Sequence, residues 1–402
     1  MKLDYKKTLL LGFGFLGISL IWSVYNSYVP IFLREYDLPL WLVGLVMTFD
    51  NIAGVTIQPY VGFLSDRTRT RFGRRMPYLM IGAPIGAAFF SLIAVLHLGS
   101  SNFTLLMAAI IIMNIGMAIF RTPTVALMPD ITPSPLRSKA NGIINLMGGL
   151  GATLAFLGGA FLYRAGRGLP FYVSAAVMLV ATAVVVLVIR EPKGSEEELK
   201  EQPGVLSTLR SIITGQEKSG LFILLAIFTW FMGYNAVETF WTTYGKESLG
   251  IPESTAAAML TYVSVAFLVF ALPAGFIATR FGRRRTILAG LAIMAVFLLG
   301  GYFVTNMTYL TIMLIAAGIG WALININSFP MVSDIAPPGK IGSYTGLYYF
   351  FSMLAAITAP PVVGGLMDVF GHRAMFLFSV LFMLIALLCM LQVKRGEAQG
   401  TA

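Results

Sequence analysis

The 402-residue chain has a single cysteine, Cys389, so no internal disulfide can form and cysteine usage says nothing about redox compartment. Its two histidines, His97 and His372, lie far apart without ligand-spaced companions, so no metal site is expected. No G-x4-G-K-[ST] sequence occurs, which removes the phosphate cradle that ATP-driven work requires. Energy for any vectorial process must come from a gradient or a partner. No clustered nucleophile and base or paired acid motif is present, so neither an enzyme nor a bound cofactor is expected. Charge is also scarce: charged residues make up 11% and apolar residues 57%, and the mean hydropathy of +0.81 lies outside the range of water-soluble domains.

What fills the chain instead is apolar runs. A helix needs about 20 apolar residues to cross the roughly 30 Å hydrocarbon core, and twelve stretches qualify. They run near 8–33, 40–64, 76–97, 103–129, 136–163, 169–189, 219–245, 254–278, 285–304, 308–332, 341–366 and 373–393. An all-α, multi-pass membrane protein is therefore expected, with the lipid bilayer as its main partner. Lys2, Lys6 and Lys7 before the first run could suggest a signal peptide, but no small-residue cleavage site follows, and Trp22, Tyr25 and Asn26 suit a retained helix.

The net charge of +10 does not point to nucleic acid, because of how it is distributed. With a cytoplasmic N-terminus, 22 of the 28 Lys and Arg fall on the inner side. Arg34, Arg164, Arg167, Lys246 and Arg373 fall outside, and Arg121 lies within a span. The positive-inside rule thus places both termini in the cytoplasm. The absence of large outer loops or an organellar targeting segment points to a bacterial inner membrane.

Two halves follow from an internal repeat. SDRTRTRFGRR (Ser65 to Arg75) recurs, four residues shorter, within GFIATRFGRRR (Gly275 to Arg285). Gly62 matches Gly275, the RFGRR at 71–75 matches that at 280–284, Asp130 matches Asp334, and Gly142 matches Gly346. Between the halves, residues 191–218 turn charged and Pro/Gly-rich, as in a solvated linker. Residues 1–190 and 219–402 are then two six-helix bundles.

The loop motif, the twelve spans and the pseudo-twofold halves resemble the major facilitator superfamily, whose loop between helices 2 and 3 reads GxxxDRxGRR. That resemblance implies rocking-type secondary transport. More narrowly, DRTRTRFGRR followed by Pro77, with RTPTVALMPDITP (Arg121 to Pro133) and LRSKANGIINLMGG (Leu136 to Gly149), resembles the sucrose–proton symporters and their glycoside, pentoside and hexuronide relatives. The implied activity is proton-coupled import of a saccharide or glycoside such as sucrose by a monomer. The alternative is a proton-coupled antiporter exporting drugs or metabolites. Such exporters carry GxxxGPxxGG in helix 5, whereas here Leu154 and Ala155 precede Gly158 and Gly159.

Three groups of candidate residues follow. At the cytoplasmic gate, Asp66 can face the N-terminus of helix 11, and Arg74 or Arg71 can pair with Asp130 to hold the two bundles closed. Arg67, Arg283 and Asp334 extend the set, Arg69 and Arg75 read as topology anchors, and Thr279 replaces the acid in the second copy. Charges inside the membrane are costly and default to function. Asp50 is the candidate proton site and Arg121 its modulator, with Glu238 as rival acid. Burial raises a carboxyl's affinity for protons and a nearby arginine lowers it, so alternating access can switch between the two environments. A permanently neutralised Asp50–Arg121 bridge remains the structural alternative.

The third group is the substrate site. Helices 1, 4, 7 and 10, which line the cavity in this superfamily, carry polar and aromatic residues at helical spacing. These are Trp22, Tyr25 and Asn26; Asn114 and Arg121; Trp230, Tyr234, Asn235, Glu238 and Trp241; and Trp321 and Asn325. Asn145 adds a polar group from helix 5. Amides and charges bond sugar hydroxyls while aromatic rings receive C–H faces. The same rings also suit interfacial belts or ordinary packing.

Overall fold

A computed structural model describes residues 4–99, 102–132, 137–189, 191, 205–214, 217–337 and 341–397. Fourteen helices fill the described residues, with no strand among them. They are α1 (Tyr5–Arg34), α2 (Leu40–Met47), α3 (Phe49–Arg67), α4 (Met76–Gly99), α5 (Phe103–Ile131), α6 (Arg137–Ala165), α7 (Leu169–Val188), α8 (Val205–Thr214), α9 (Ser219–Leu249), α10 (Glu253–Phe281), α11 (Arg283–Phe303), α12 (Met307–Ile335), α13 (Ile341–Phe370) and α14 (Ala374–Gln392). Helix is the form this composition requires, because in hydrocarbon every backbone N–H and C=O must be satisfied within its own segment.

Among the described residues, twelve spans are long and apolar enough to cross a membrane. The second is made of two helices, α2 and α3, broken at Thr48. There the Thr48 hydroxyl donates to the Leu45 carbonyl at 2.7 Å and closes the first piece. Of the expected linker, the structure describes Glu191, the ten-residue helix α8, and Glu217 with Lys218.

The chain forms two compact units. The first holds residues 1–38, 49–196 and 251–261, and the second holds 39–48, 197–250 and 262–402. Their bounds differ from residues 1–190 and 219–402, because α2 and the start of α10 each join the other unit. α2 belongs to the second unit because its Gly44 and Gly364 of α13 bring two backbones into contact. The start of α10 belongs to the first, where Arg164 Nε donates to Ser254 Oγ at 3.3 Å.

Within each unit the same helix pair packs through glycine. A Cβ on Gly116 of α5 would stand 2.7 Å from the Gly86 nitrogen of α4, and one on Gly290 of α11 would stand 2.6 Å from the Gly320 carbonyl oxygen of α12. Small residues let membrane helices approach closely enough for dispersion contacts to replace the hydrophobic force that lipid does not supply. The far end of the first unit, opposite the RFGRR loop, is fastened by Glu35. Its carboxylate accepts from Arg167 at 2.5 Å and pairs with His97 at 2.9 Å. Burial alone would lower the Arg167 pKa, but its bonds to Glu35 and Tyr163 hold it above the ordinary value. His372 has a matching partner in the second unit, Glu247, at 2.9 Å.

Candidate functional site

The two RFGRR loops are built alike. Gly73 and Gly282 adopt φ of +113° and +91°, where an L side chain is strained. In each case the missing Cβ also leaves room for a carboxylate lying against the backbone. Glu191, just past the sixth span, accepts from the backbone N–H groups of Arg74, Arg75 and Met76 at 2.7, 2.8 and 2.9 Å. Glu397, just past the twelfth, accepts from Arg283 and Arg284 at 2.6 and 3.1 Å. Each acid satisfies the open donors at a helix N-terminus and complements its dipole. Neither was among the sequence candidates, although both stand at matching places after the last span of their half.

Beside the first cap, Asp130 at the end of α5 binds two arginines. Arg74 lies at 2.5 Å and Arg75 at 3.1 Å, and Arg75 also donates to Ser65 Oγ at 2.5 Å. Arg75 is 6% exposed, so it is a buried structural partner. Asp130 and both arginines lie inside the first unit. The expectation that this pair holds the two bundles together is therefore corrected: as built, it fastens the loop to its own bundle. Arg283 pairs with Asp334 inside the second unit in the same way. Arg67 and Arg71 do not reach Asp130; their guanidinium groups stack over Phe63 at 4.0 Å and Phe72 at 4.7 Å. The Asp66 side chain lies outside the described residues.

Deeper in the first unit, α1, α3 and α5 bring together residues far apart in sequence. Trp22 and Tyr25 meet edge to face, with centroids 5.6 Å apart. Tyr25 is 1% exposed and has Asp50 and Asn114 as polar neighbours. Asp50 accepts from the amide of Asn51 at 2.7 Å and lies within electrostatic reach of Arg121. Asn51 carries no charge and stands out from the sequence only through this bond to its neighbour. Asn114 spends its amide N–H on the Ile110 carbonyl at 2.9 Å. Its oxygen, the Tyr25 hydroxyl and the Trp22 indole N–H are buried and find no partner of full hydrogen-bond geometry among the described residues, although the Asn114 side chain lies close enough to Tyr25 to act on its hydroxyl. Asn26 is half-buried on α1, and Asn145 is exposed on α6.

The second unit carries an aromatic counterpart. Tyr234 of α9 stacks flat on Trp321 of α12 at 4.0 Å and 11°, and Phe231 meets the same indole edge-on at 5.1 Å. Glu238 lies one turn along α9, within electrostatic reach of Tyr234. Asn235 donates to the Phe231 carbonyl at 2.7 Å, so its amide N–H serves its own helix. Trp230 and Trp241 are fully buried; Trp230 leaves its indole N–H unpartnered, and Trp241 packs near Tyr244 at 6.0 Å. Asn325 is half-buried. Two residues beyond it, Asn327 bridges helices by donating to the Ala274 carbonyl of α10 at 3.3 Å.

Multidrug resistance protein 2 of Bacillus subtilis (strain 168) is 24% identical over 380 residues, 93% of this chain and 90% of that protein. Proton-associated sugar transporter A of Homo sapiens is 27% identical over 204 residues, 46% of this chain and 27% of that protein. The crystal structure of a bacterial homologue of the human lysosomal transporter Spinster, inward-facing and occupied, superposes with a TM-score of 0.78. It covers 98% of each chain at 14% identity, which shows the fold. The family profile described as Major Facilitator Superfamily matches residues 11–261 and 240–401. With twelve candidate spans and this fold, the chain belongs to the major facilitator superfamily, whose members are secondary transporters of small molecules.

Proposed function

We propose that this transporter imports a saccharide or glycoside, such as sucrose, together with protons. The carrying observation is the first-unit cluster, where the donors and acceptors left over beside Asp50 and Arg121 suit a hydroxyl-rich solute. Asn114 Oδ1 can only accept, Trp22 Nε1 can only donate, and the Tyr25 hydroxyl can do both. Leaving such groups unpaired costs about 1–3 kcal/mol each, and a sugar hydroxyl, which donates and accepts at once, removes that cost. Asp50 is the proton site in this proposal. Protonating it frees Arg121 from its charge, so solute affinity and proton occupancy are linked through one residue pair. With both termini in the cytoplasm, the RFGRR loops face inward and the Glu35 end faces out.

A second reading is favoured by the Tyr234–Trp321 stack beside Glu238. A flat aromatic surface next to a carboxylate also suits a lipophilic cation. The similarity to Multidrug resistance protein 2 over most of the chain supports the same alternative, proton-coupled export.

Uptake of labelled sucrose, maltose and glucose into proteoliposomes with an acid exterior separates the two readings. Accumulation that a protonophore abolishes, and that Asp50→Asn loses while keeping equilibrative exchange, is expected. Accumulation that survives in Asp50→Asn moves coupling to Glu238. If no sugar enters under any gradient, the saccharide reading fails and efflux of lipophilic cations becomes the assay.

A further inference from the structure

Helix α2 is not stabilised by its own sequence. It has eight residues, too few for a stable isolated helix, and its N-cap is Pro39, which offers no side-chain bond to the open N–H groups. Those groups are served from 328 and 327 positions away. Asp368 Oδ1 accepts from the Leu40 N–H at 2.9 Å, and Oδ2 accepts from the Trp41 N–H at 3.0 Å. The acid is badly placed for its own helix, because it stands in the last turn of α13, where the backbone dipole already concentrates negative charge. Only the docked α2 turns that placement from unfavourable to favourable, and a local conflict resolved by one distant contact marks a functional position.

The surfaces below the cap are shaped for the same contact. A Cβ on Gly44 would collide with the Pro360 carbonyl and one on Gly364 with the Leu40 carbonyl, so the two backbones touch. Leu40, Val43 and Met47, at helical spacing, are buried, with Val43 at 0%. At its other end α2 is cut from α3 at Thr48, so it can swing without unwinding the rest of the span.

We propose that Asp368 is a detachable latch that holds α2 on α13 in this state and releases it when the transporter opens on the face bearing the α2 N-terminus. The latch depends on alternating access and not on which solute is carried, so its test uses no solute. Cys389 is the sole cysteine, which makes a reporter straightforward. In a Cys389→Ser background, Val43→Cys places a thiol in the docked face. A membrane-impermeant maleimide is added to the side of proteoliposomes that exposes an Asp37→Cys control.

With Asp368 present, Val43→Cys is expected to react slowly. Asp368→Ala should raise its rate about tenfold, the scale of losing a helix cap, while Asp37→Cys keeps its rate. Asp368→Glu should restore slow labelling. Gly44→Leu, which wedges the contact and keeps the acid, should also raise the rate, and it covers the case in which Asp368→Ala yields no folded protein. Equal Val43→Cys rates in the parent and in the folded variants would overturn the latch whatever the transport assays show.

Discussion

Glu191 is the residue whose loss should test the loop architecture most directly. Its half-buried carboxylate accepts three backbone N–H bonds at 2.7, 2.8 and 2.9 Å at the start of α4. One ordinary N-cap is worth about 1 kcal/mol, and an anion at a helix N-terminus adds about 0.3–1 kcal/mol. With three donors released and only part of them regaining water, Glu191→Ala should cost about 2–3 kcal/mol. The matching Glu397→Ala releases two donors at an exposed site and should cost about 1 kcal/mol.

Gly73 sharpens the test. An alanine there adds the strain of φ +113° and sets its Cβ 2.7 Å from the Glu191 carboxyl carbon. The strain, about 1–3 kcal/mol, persists in any background, but the collision exists only with Glu191 in place. Gly73→Ala should therefore be less damaging in Glu191→Ala than in the parent, with a coupling of about 1 kcal/mol or more. The assay is an unfolding titration in mixed micelles read by the five tryptophans. Additive costs for the two substitutions would refute the close approach as the reason for the glycine, and an unchanged midpoint in Glu191→Ala would refute the cap.

Two further outcomes follow. Asp130→Asn should cost about 1–3 kcal/mol, because its carboxylate is 12% exposed and holds both Arg74 and Arg75, whereas Asp334→Asn, 43% exposed with one arginine, should cost at most about 1 kcal/mol; equal losses in the same titration contradict the difference in burial. Trp321→Ala removes the ring on which Tyr234 stacks and should weaken solute binding about tenfold, while Tyr25→Phe, which deletes an unpartnered hydroxyl, should weaken a sugar and leave a lipophilic cation unaffected; calorimetry with both solutes checks this, and equal effects on the two would remove Tyr25 from the sugar site.

Some of this was legible in the chain and some was not, for physical reasons that particular residues make plain. The spans were legible because hydrocarbon imposes length and composition on every one of them, and the likeness of the two loops because RFGRR and the two aspartates recur in order. The Asp50–Arg121 neighbourhood was partly legible. Axial rise alone sets their levels about 10 Å apart, and only a long arginine side chain on a packed α5 brings its charge within reach of Asp50. The acids at Glu191, Glu397 and Asp368 were not legible. Each serves backbone N–H groups more than 100 positions away, and a backbone donor has no sequence signature of its own. The break at Thr48 was hidden too, since Leu40–Ser65 is apolar enough to qualify as one span while the chain divides between two units there. A carboxylate just beyond a span, or in the last turn of one where the dipole disfavours it, is thus a prompt to look for a helix start elsewhere in the fold. In this chain Glu191, Glu397 and Asp368 each find one, whereas Asp130 and Asp334, also in last turns, take arginine side chains.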